Sequence, residues 1–391
     1  MKVKRRRITQ IVSSVMAKRI IVTIIFLLLV CSVVKNSSHK AMRSARLKRA
    51  VNGPISADAA MSSIKEDYSI KSKENGSRNF SCQPERISHH SRLRLKNFFR
   101  DETEWRNTEF NIFLTETSCN SKPKYRAWCS VESMAQQNPK ATVWYVLTSP
   151  EVDTQDGHVH RLLQKNKNLR VVTIDLDDVF RGTPLEELYL SGIWYTDSGK
   201  FLNWPAANLS DMMRLALVWK VGGFYSDTDI ICISSLAGLR NVIGMEAFNL
   251  VNGAIFHFDH HHPMLMFFMS YLNQNFNTDE WGKNGPQVVS AVLRTVCKDE
   301  ILSPYLKCEN LKILSSRAFH PVQPTLRKTL FQKSIEKDIN KRFPYSYTIH
   351  FWNRDTNKFP IFKNSGTIID LASAAFCPMT RAQATKNSPI Y

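Results

Sequence analysis

Gly222-Gly223-Phe224-Tyr225-Ser226-Asp227-Thr228-Asp229 is the stretch on which the reading of this chain turns. It follows an apolar helix-like run, Asp211 to Val221, and precedes a strand-like run, Ile230-Ile231-Cys232-Ile233. Two carboxylates one residue apart therefore stand where a strand surfaces from a core. In extended backbone, residues i and i+2 project to the same face. Asp227 and Asp229 can then converge on one hard cation, which prefers oxygen ligands. A divalent ion there can hold a diphosphate, which points to an enzyme with a nucleotide-diphosphate donor. The plainer reading of a lone D-x-D is a pair of turn carboxylates; the glycine turn and apolar strand around it favour function. Gly222-Gly223 itself reads as a helix C-cap and turn.

Upstream, Ser210 is placed to cap a helix that starts near Asp211. Asp211 and Arg214, three residues apart, share a face. An arginine at a helix start suits a phosphate neighbour, and an exposed ion pair is the bland alternative. Tyr225 suits either the core or the ligand. Strand patterns occur at Phe110–Leu114, Ala141–Leu147, Leu169–Ile174 and Tyr347–Trp352. Helix-like stretches separate the first three of them, which implies an α/β fold with a mostly parallel, doubly wound sheet. Ligands bind such sheets outside the strands' carboxyl ends. The Thr115–Ser118 loop and the Asp227–Asp229 pair would lie near those ends. His350 is a polar residue in an apolar strand, fit for a core histidine or for a third ligand beside Asp229. His257, His260, His261 and His262 read as a solvated turn, and Trp281 to Gln287 as a connector.

The net charge of +19 over 391 residues is unevenly spread. Residues 1–108 carry 23 Lys/Arg against 8 Asp/Glu, or +15, and residues 109–391 carry 30 against 26, or +4. A nucleic-acid-binding module would place that charge on the folded part, so no nucleic-acid partner is expected. Residues 1–19 read as a cytosolic tail. The apolar run 20–34, about 22 Å long as a helix, reads as an uncleaved transmembrane signal anchor, with the positive charge before it kept cytosolic. Residues 35–108 read as a luminal stem, rich in Ser, Lys, Arg and Asn. Residues 109–391 then form the catalytic domain. Sequons at Asn75, Asn79 and Asn208 fit a luminal location. A glycan at Asn208 would crowd the donor side. The cysteines are better read as disulfides than as metal ligands, with Cys297–Cys308 the first pair and Cys232 a buried hydrophobe.

Taken in order, Asn111 to Ser118, Cys129-Ser130-Val131-Glu132-Ser133, Ser210 to Asp229, Asn252-Gly253-Ala254, Gly285-Pro286-Gln287 and His350-Phe351-Trp352-Asn353 resemble the alpha-1,4-glycosyltransferase family over residues 109–380. The resemblance implies a glycosyltransferase fold of the A type, a UDP-sugar donor, one Mn²⁺ or another divalent cation, and retention of the anomeric configuration. It implies metal ligation by Asp227, Asp229 and His350, with Arg214 offsetting charge on the leaving diphosphate. Asp211, Tyr225, Thr115, Glu116, Asn252 and Gln287 would then contact the donor or acceptor. The family's setting is a Golgi membrane, single-pass type II, with the membrane reached through the anchor. The reading is transfer of galactose or an N-acetylhexosamine in α1,4 linkage to a glycolipid, in glycosphingolipid synthesis. A glycoprotein O-glycan acceptor suits nearly as well, and an inactive glycan-binding protein on the same fold is the rival class. No carboxylate nucleophile stands out, so front-face attack is expected. A homodimer is left open.

Overall fold

The computed structural model describes Cys82 and residues 91–390, apart from 101, 107, 109, 198–199 and 309. The expected tail, the anchor at 20–34, Asn75 and Asn79 lie outside the described residues. No helix among the described residues is long and apolar enough to cross a membrane.

The strands are Arg92–Arg94 (β1), Asn111–Glu116 (β2), Thr142–Leu147 (β3), Glu151–Asp153 (β4), Leu169–Thr173 (β5), Thr196–Asp197 (β6), Lys200–Phe201 (β7), Gly223–Ser226 (β8), Ile230–Cys232 (β9), Val242–Ala247 (β10), Leu250–Phe258 (β11), Lys307–Cys308 (β12), Leu311–Leu314 (β13) and Thr348–His350 (β14). The helices that matter for the site are Tyr125–Gln137 (α1), Pro205–Val221 (α2), Pro263–Asn275 (α3), Val288–Cys297 (α4) and the short Asn353–Thr356 (α5). Eight strands form one sheet in the order β12-β13-β10-β11-β8-β2-β3-β5.

The sheet is mostly parallel, as expected, and two of its eight strands, β11 and β12, run against the rest. β5, β3, β2 and β8 run parallel, as do β10 and β13. β11 is antiparallel to both β8 and β10, and β12 to β13. The reason is local: β10 and β11 are joined by a two-residue turn, which permits only antiparallel pairing. β10 consequently points the same way as β8 and β2, and their carboxyl ends share one edge.

The central strands read as unbroken apolar runs because both faces of the sheet are covered. Phe113, Trp144, Val146 and Tyr225 pack with α2, α3 and α4 on one side. Ile112, Leu114, Val143, Tyr145 and Phe224 pack with α1 on the other. A third core gathers β9, β14 and the C-terminal helices around Ile231, Ile349 and Phe351. The folded unit begins earlier than the boundary expected at 109. Phe98 and Trp105 are buried in the first of these cores, and β1 pairs with β4. Few apolar residues punctuate that basic segment, so only their long-range contacts reveal it as folded.

Two other local expectations change. The helix before the glycine turn starts at Pro205, with Trp204 as its N-cap residue, so Ser210 is an interior residue rather than a cap. Asp211 and Arg214 thus belong to the body of α2, away from its N-terminus. Gly222 and Gly223 have φ of +78° and +117°. A Cβ at Gly222 would stand 2.7 Å from the His260 backbone nitrogen, and one at Gly223 2.5 Å from the Asn111 carbonyl oxygen. Only glycine fits both the backbone angles and the space.

Candidate active site

Asp227 and Asp229 follow β8, but not in extended backbone: Thr228 and Asp229 form a turn before β9. The turn still leaves the two carboxylates close together, and β14 lies against β9 and brings His350 opposite Ile230. Ligand atoms of Asp227, Asp229 and His350 all lie within 4.8 Å of one another. His350 Nε2 is 3.1 Å from Asp229 Oδ1. The backbone N–H of Asn353 donates to Asp229 Oδ2 at 2.8 Å. His350 stacks on Trp352 at 3.9 Å between ring centroids. Its buried Nδ1 has no hydrogen-bond partner among the described residues. Two carboxylates and an imidazole suit a divalent ion such as Mn²⁺, so the donor set fits the expected cation.

On the α2 side, Arg214 is tied on every arm. Its Nη2 lies 3.1 Å from Asp211 Oδ1 and 3.2 Å from Asp227 Oδ1. Its Nη1 donates to the Gly253 carbonyl at 2.8 Å, and its Nε to the Ser210 carbonyl at 3.1 Å. Tyr225 donates its hydroxyl proton to Asp227 Oδ1 at 2.7 Å. The same hydroxyl oxygen lies 3.0 Å from Ser210 Oγ and 3.3 Å from Thr115 Oγ1. Both faces of the Tyr225 question therefore hold: the ring packs in the core and the hydroxyl serves the site.

Charge follows this packing. Burial raises the Asp227 carboxyl above its usual range despite the pull of Arg214. Burial likewise pushes Asp211 up to about 6. Burial works against an ionised Asp229 too, but His350 and the Asn353 N–H outweigh it and hold that carboxyl below its usual range. Burial would lower His350, and Asp229 overrides it and raises the imidazole. The site thus carries Arg214 and a histidine that favours its charged form among three carboxylates.

Of the remaining expected residues, Asn252 is buried with its Nδ2 2.6 Å from Glu246 Oε2, and Ala254 N donates to its Oδ1 at 2.7 Å. It braces the strand that carries the Gly253 carbonyl. Glu116 accepts from the backbone N–H of Ser118 at 2.8 Å, closing its own loop. Gln287 is exposed and makes no side-chain hydrogen bond to the cluster. Asn208 overturns its sequon: the residue is buried, its Nδ2 donates to the Trp194 carbonyl at 3.0 Å, and its Oδ1 accepts from Asn284 at 3.1 Å. A glycan has no room there. The histidine turn is only half solvated. His260 and His261 are exposed, whereas His257 is buried under Phe110 and His262 caps α3. The Cys297–Cys308 bridge is present, with Cys82–Cys119 and Cys129–Cys377, and Cys232 is free and buried.

Sequence reasoning missed a cavity of about 570 Å³ beside Asn353, lined by Lys124, Arg126, Arg354 and Lys358 and by no acidic side chain among the described residues. Its two walls come from the start of α1 and from the segment after His350, so no local pattern could announce it.

Comparison with known proteins agrees with this geometry. Residues 125–249 match the glycosyltransferase sugar-binding region containing a DXD motif. This places the D-T-D turn in a glycosyltransferase. Residues 257–384 match the alpha 1,4-glycosyltransferase conserved region. Lactosylceramide 4-alpha-galactosyltransferase of Gorilla gorilla gorilla is 30% identical over 274 residues, 69% of this chain and 82% of that one. Alpha-1,4-N-acetylglucosaminyltransferase of Homo sapiens is 28% identical over 279 residues, 69% and 79% of the two chains. The chain belongs to the alpha-1,4-glycosyltransferase family. Among solved structures, galactosyltransferase LgtC in complex with donor and acceptor sugar analogs aligns at a TM-score of 0.35 and 13% identity over 68% of this chain and 96% of that one, too low a likeness to define the fold.

Proposed function

We propose that this protein moves galactose or an N-acetylhexosamine from a UDP-sugar to a 4-hydroxyl of a glycolipid, forming an α1,4 bond with retention, on an A-type glycosyltransferase fold. The observation that carries the proposal is the meeting of Asp227, Asp229 and His350 at one point. A divalent cation held by these residues, Mn²⁺ in this reading, supplies positive charge for the donor's diphosphate.

The chain's own groups do the rest. Asn353 N–H and His350 keep Asp229 ionised and oriented. Tyr225 and Arg214 fix Asp227. Arg214 spends its N–H groups on the protein, so it acts by orienting Asp227, Asp211 and the Gly253 carbonyl. Arg126 is likewise tied to Asn353 and to the Thr356 and Phe359 carbonyls, so in this reading Lys124, Lys358 and Arg354 of the neighbouring cavity are the direct partners for phosphate oxygens. As the bond to the diphosphate breaks, negative charge grows on the leaving phosphate, where fixed positive groups stabilise it most. The acceptor hydroxyl attacks the sugar from the face that the diphosphate leaves, and its proton passes to the departing phosphate oxygen. The signal anchor and stem expected before the domain belong to the same reading and place it at the Golgi membrane.

The test is incubation of the full-length protein in detergent with UDP-galactose, UDP-N-acetylgalactosamine and UDP-N-acetylglucosamine, and with β-galactosyl and N-acetyl-β-galactosaminyl acceptors. Linkage is then read by NMR. An α1,4 product that requires Mn²⁺ is expected. A β-linked product, or neither transfer nor donor hydrolysis, would overturn the proposal.

A further inference from the structure

Two tryptophans that the reaction described above does not use meet beside the site, together with Arg354 of the neighbouring cavity. Trp204 is the N-cap residue of α2, the helix that carries Asp211 and Arg214. Trp281 begins the turn whose Gly285 lies against Asp211, where an added Cβ would stand 3.1 Å from Oδ1. Arg354 follows Asn353, the residue that holds Asp229. The Trp204 and Trp281 rings meet edge to face at 5.5 Å, and the Arg354 guanidinium lies 4.6 Å from the Trp281 ring centroid.

The platform is fixed in place. Asn284 donates to Asn208 at 3.1 Å and accepts from the Asn277 N–H at 2.9 Å, which pins the turn to α2. Yet Trp281 remains 37% exposed and Trp204 is only partly covered. A large indole left open beside a buried polar site signals a ligand surface more than a packing need.

We infer that Trp281 and Trp204 form the platform on which the acceptor's terminal sugar ring rests, with Arg354 donating to its hydroxyls. This rests on the transferase reading. The chemistry separates the two substrates. A diphosphate calls for the cation-lined cavity on the Lys124 and Lys358 side of α5. A neutral sugar has an apolar C–H face, which suits indole, and a ring of hydroxyls, which suits the five N–H donors of a guanidinium. Arg354 touches both regions, since it lines the cavity and covers Trp281. The occupied platform would thus set the acceptor beside the bond that breaks.

The test uses full-length wild type, Trp281→Ala and Trp281→Phe. The probe is p-nitrophenyl β-galactoside or p-nitrophenyl N-acetyl-β-galactosaminide, whichever wild type glycosylates. Trp281→Ala is expected to raise the acceptor KM about tenfold or more, with Phe restoring most of it. The Kd for UDP with Mn²⁺, measured by calorimetry, should stay close to wild type and shows that the variant is folded. An unchanged acceptor KM, or a loss confined to UDP binding, overturns the platform. Absence of transfer by wild type to either probe, with UDP still bound, counts against the transferase reading and its acceptor together; absence of UDP binding counts against the donor site first.

Discussion

Asp229 and His350 stand 3.1 Å apart, joined by the antiparallel pairing of β9 with β14. Two distant segments thus complete one site, and the facing carboxylate raises the imidazole above its usual range. Asp229→Asn keeps the side chain's shape and its acceptor for the Asn353 N–H while removing the charge. Transfer is expected to fall by about a hundredfold or more, with the melting temperature little changed. Activity retained within a few-fold would show that this carboxylate is structural only.

Tyr225 tests the support beneath Asp227. Tyr225→Phe removes a buried hydroxyl that bonds Asp227 and neighbours Ser210 and Thr115. Leaving such partners unmatched costs about 1–3 kcal/mol, to be read by denaturant unfolding. A stable variant with full activity would mean that water replaces the hydroxyl at no cost.

The Cys129–Cys377 bridge closes a loop of 248 residues, whereas Cys297–Cys308 closes one of 11. Chain-entropy arguments assign about 5–6 kcal/mol to the former and about 3 kcal/mol to the latter. Cys129→Ser with Cys377→Ser should therefore lower the unfolding midpoint further than loss of the short bridge. The reverse order would place the bridges' effect in the native state instead of the unfolded chain.

Acid should destabilise the fold through buried histidines. Burial pushes His158 down to about 4, and His257 likewise. Both are neutral in the folded protein at pH 5, whereas the unfolded chain protonates them below about 6.5. Their contribution is complete above pH 6.5 and is lost as the pH falls towards 4. At pH 5 each accounts for about 2 kcal/mol. Thermal melts at pH 7.5 and 5 check this, and His158→Gln should shrink the difference. An equal drop in the variant would place the acid sensitivity elsewhere.

The D-T-D turn was legible because glycine and an apolar strand frame it, and Gly222-Gly223 has no other sterically allowed occupant. The start of α2 was not: Pro205-Ala206-Ala207 carries no capping side chain, while Ser210 mimics one inside the helix. Phe98 and Trp105 sit in a basic stretch whose packing against Phe113 and Trp144 no local window can show. The Asn208 sequon is grammatical, and only Asn284, far along the chain, reveals its amide as a buried bond. The cation-lined cavity joins Lys124 to Lys358 and exists only after folding.

The central claim is that Asp227, Asp229 and His350 bind a divalent ion that serves the diphosphate of a UDP-sugar. Mn²⁺ titration of the full-length protein in the presence of UDP, followed by electron paramagnetic resonance, tests it directly. One bound ion per chain, with nitrogen coupling from an imidazole and binding lost in Asp229→Asn, is the expected result. Mn²⁺ bound equally well by Asp229→Asn, or without any histidine nitrogen near it, would contradict the claim.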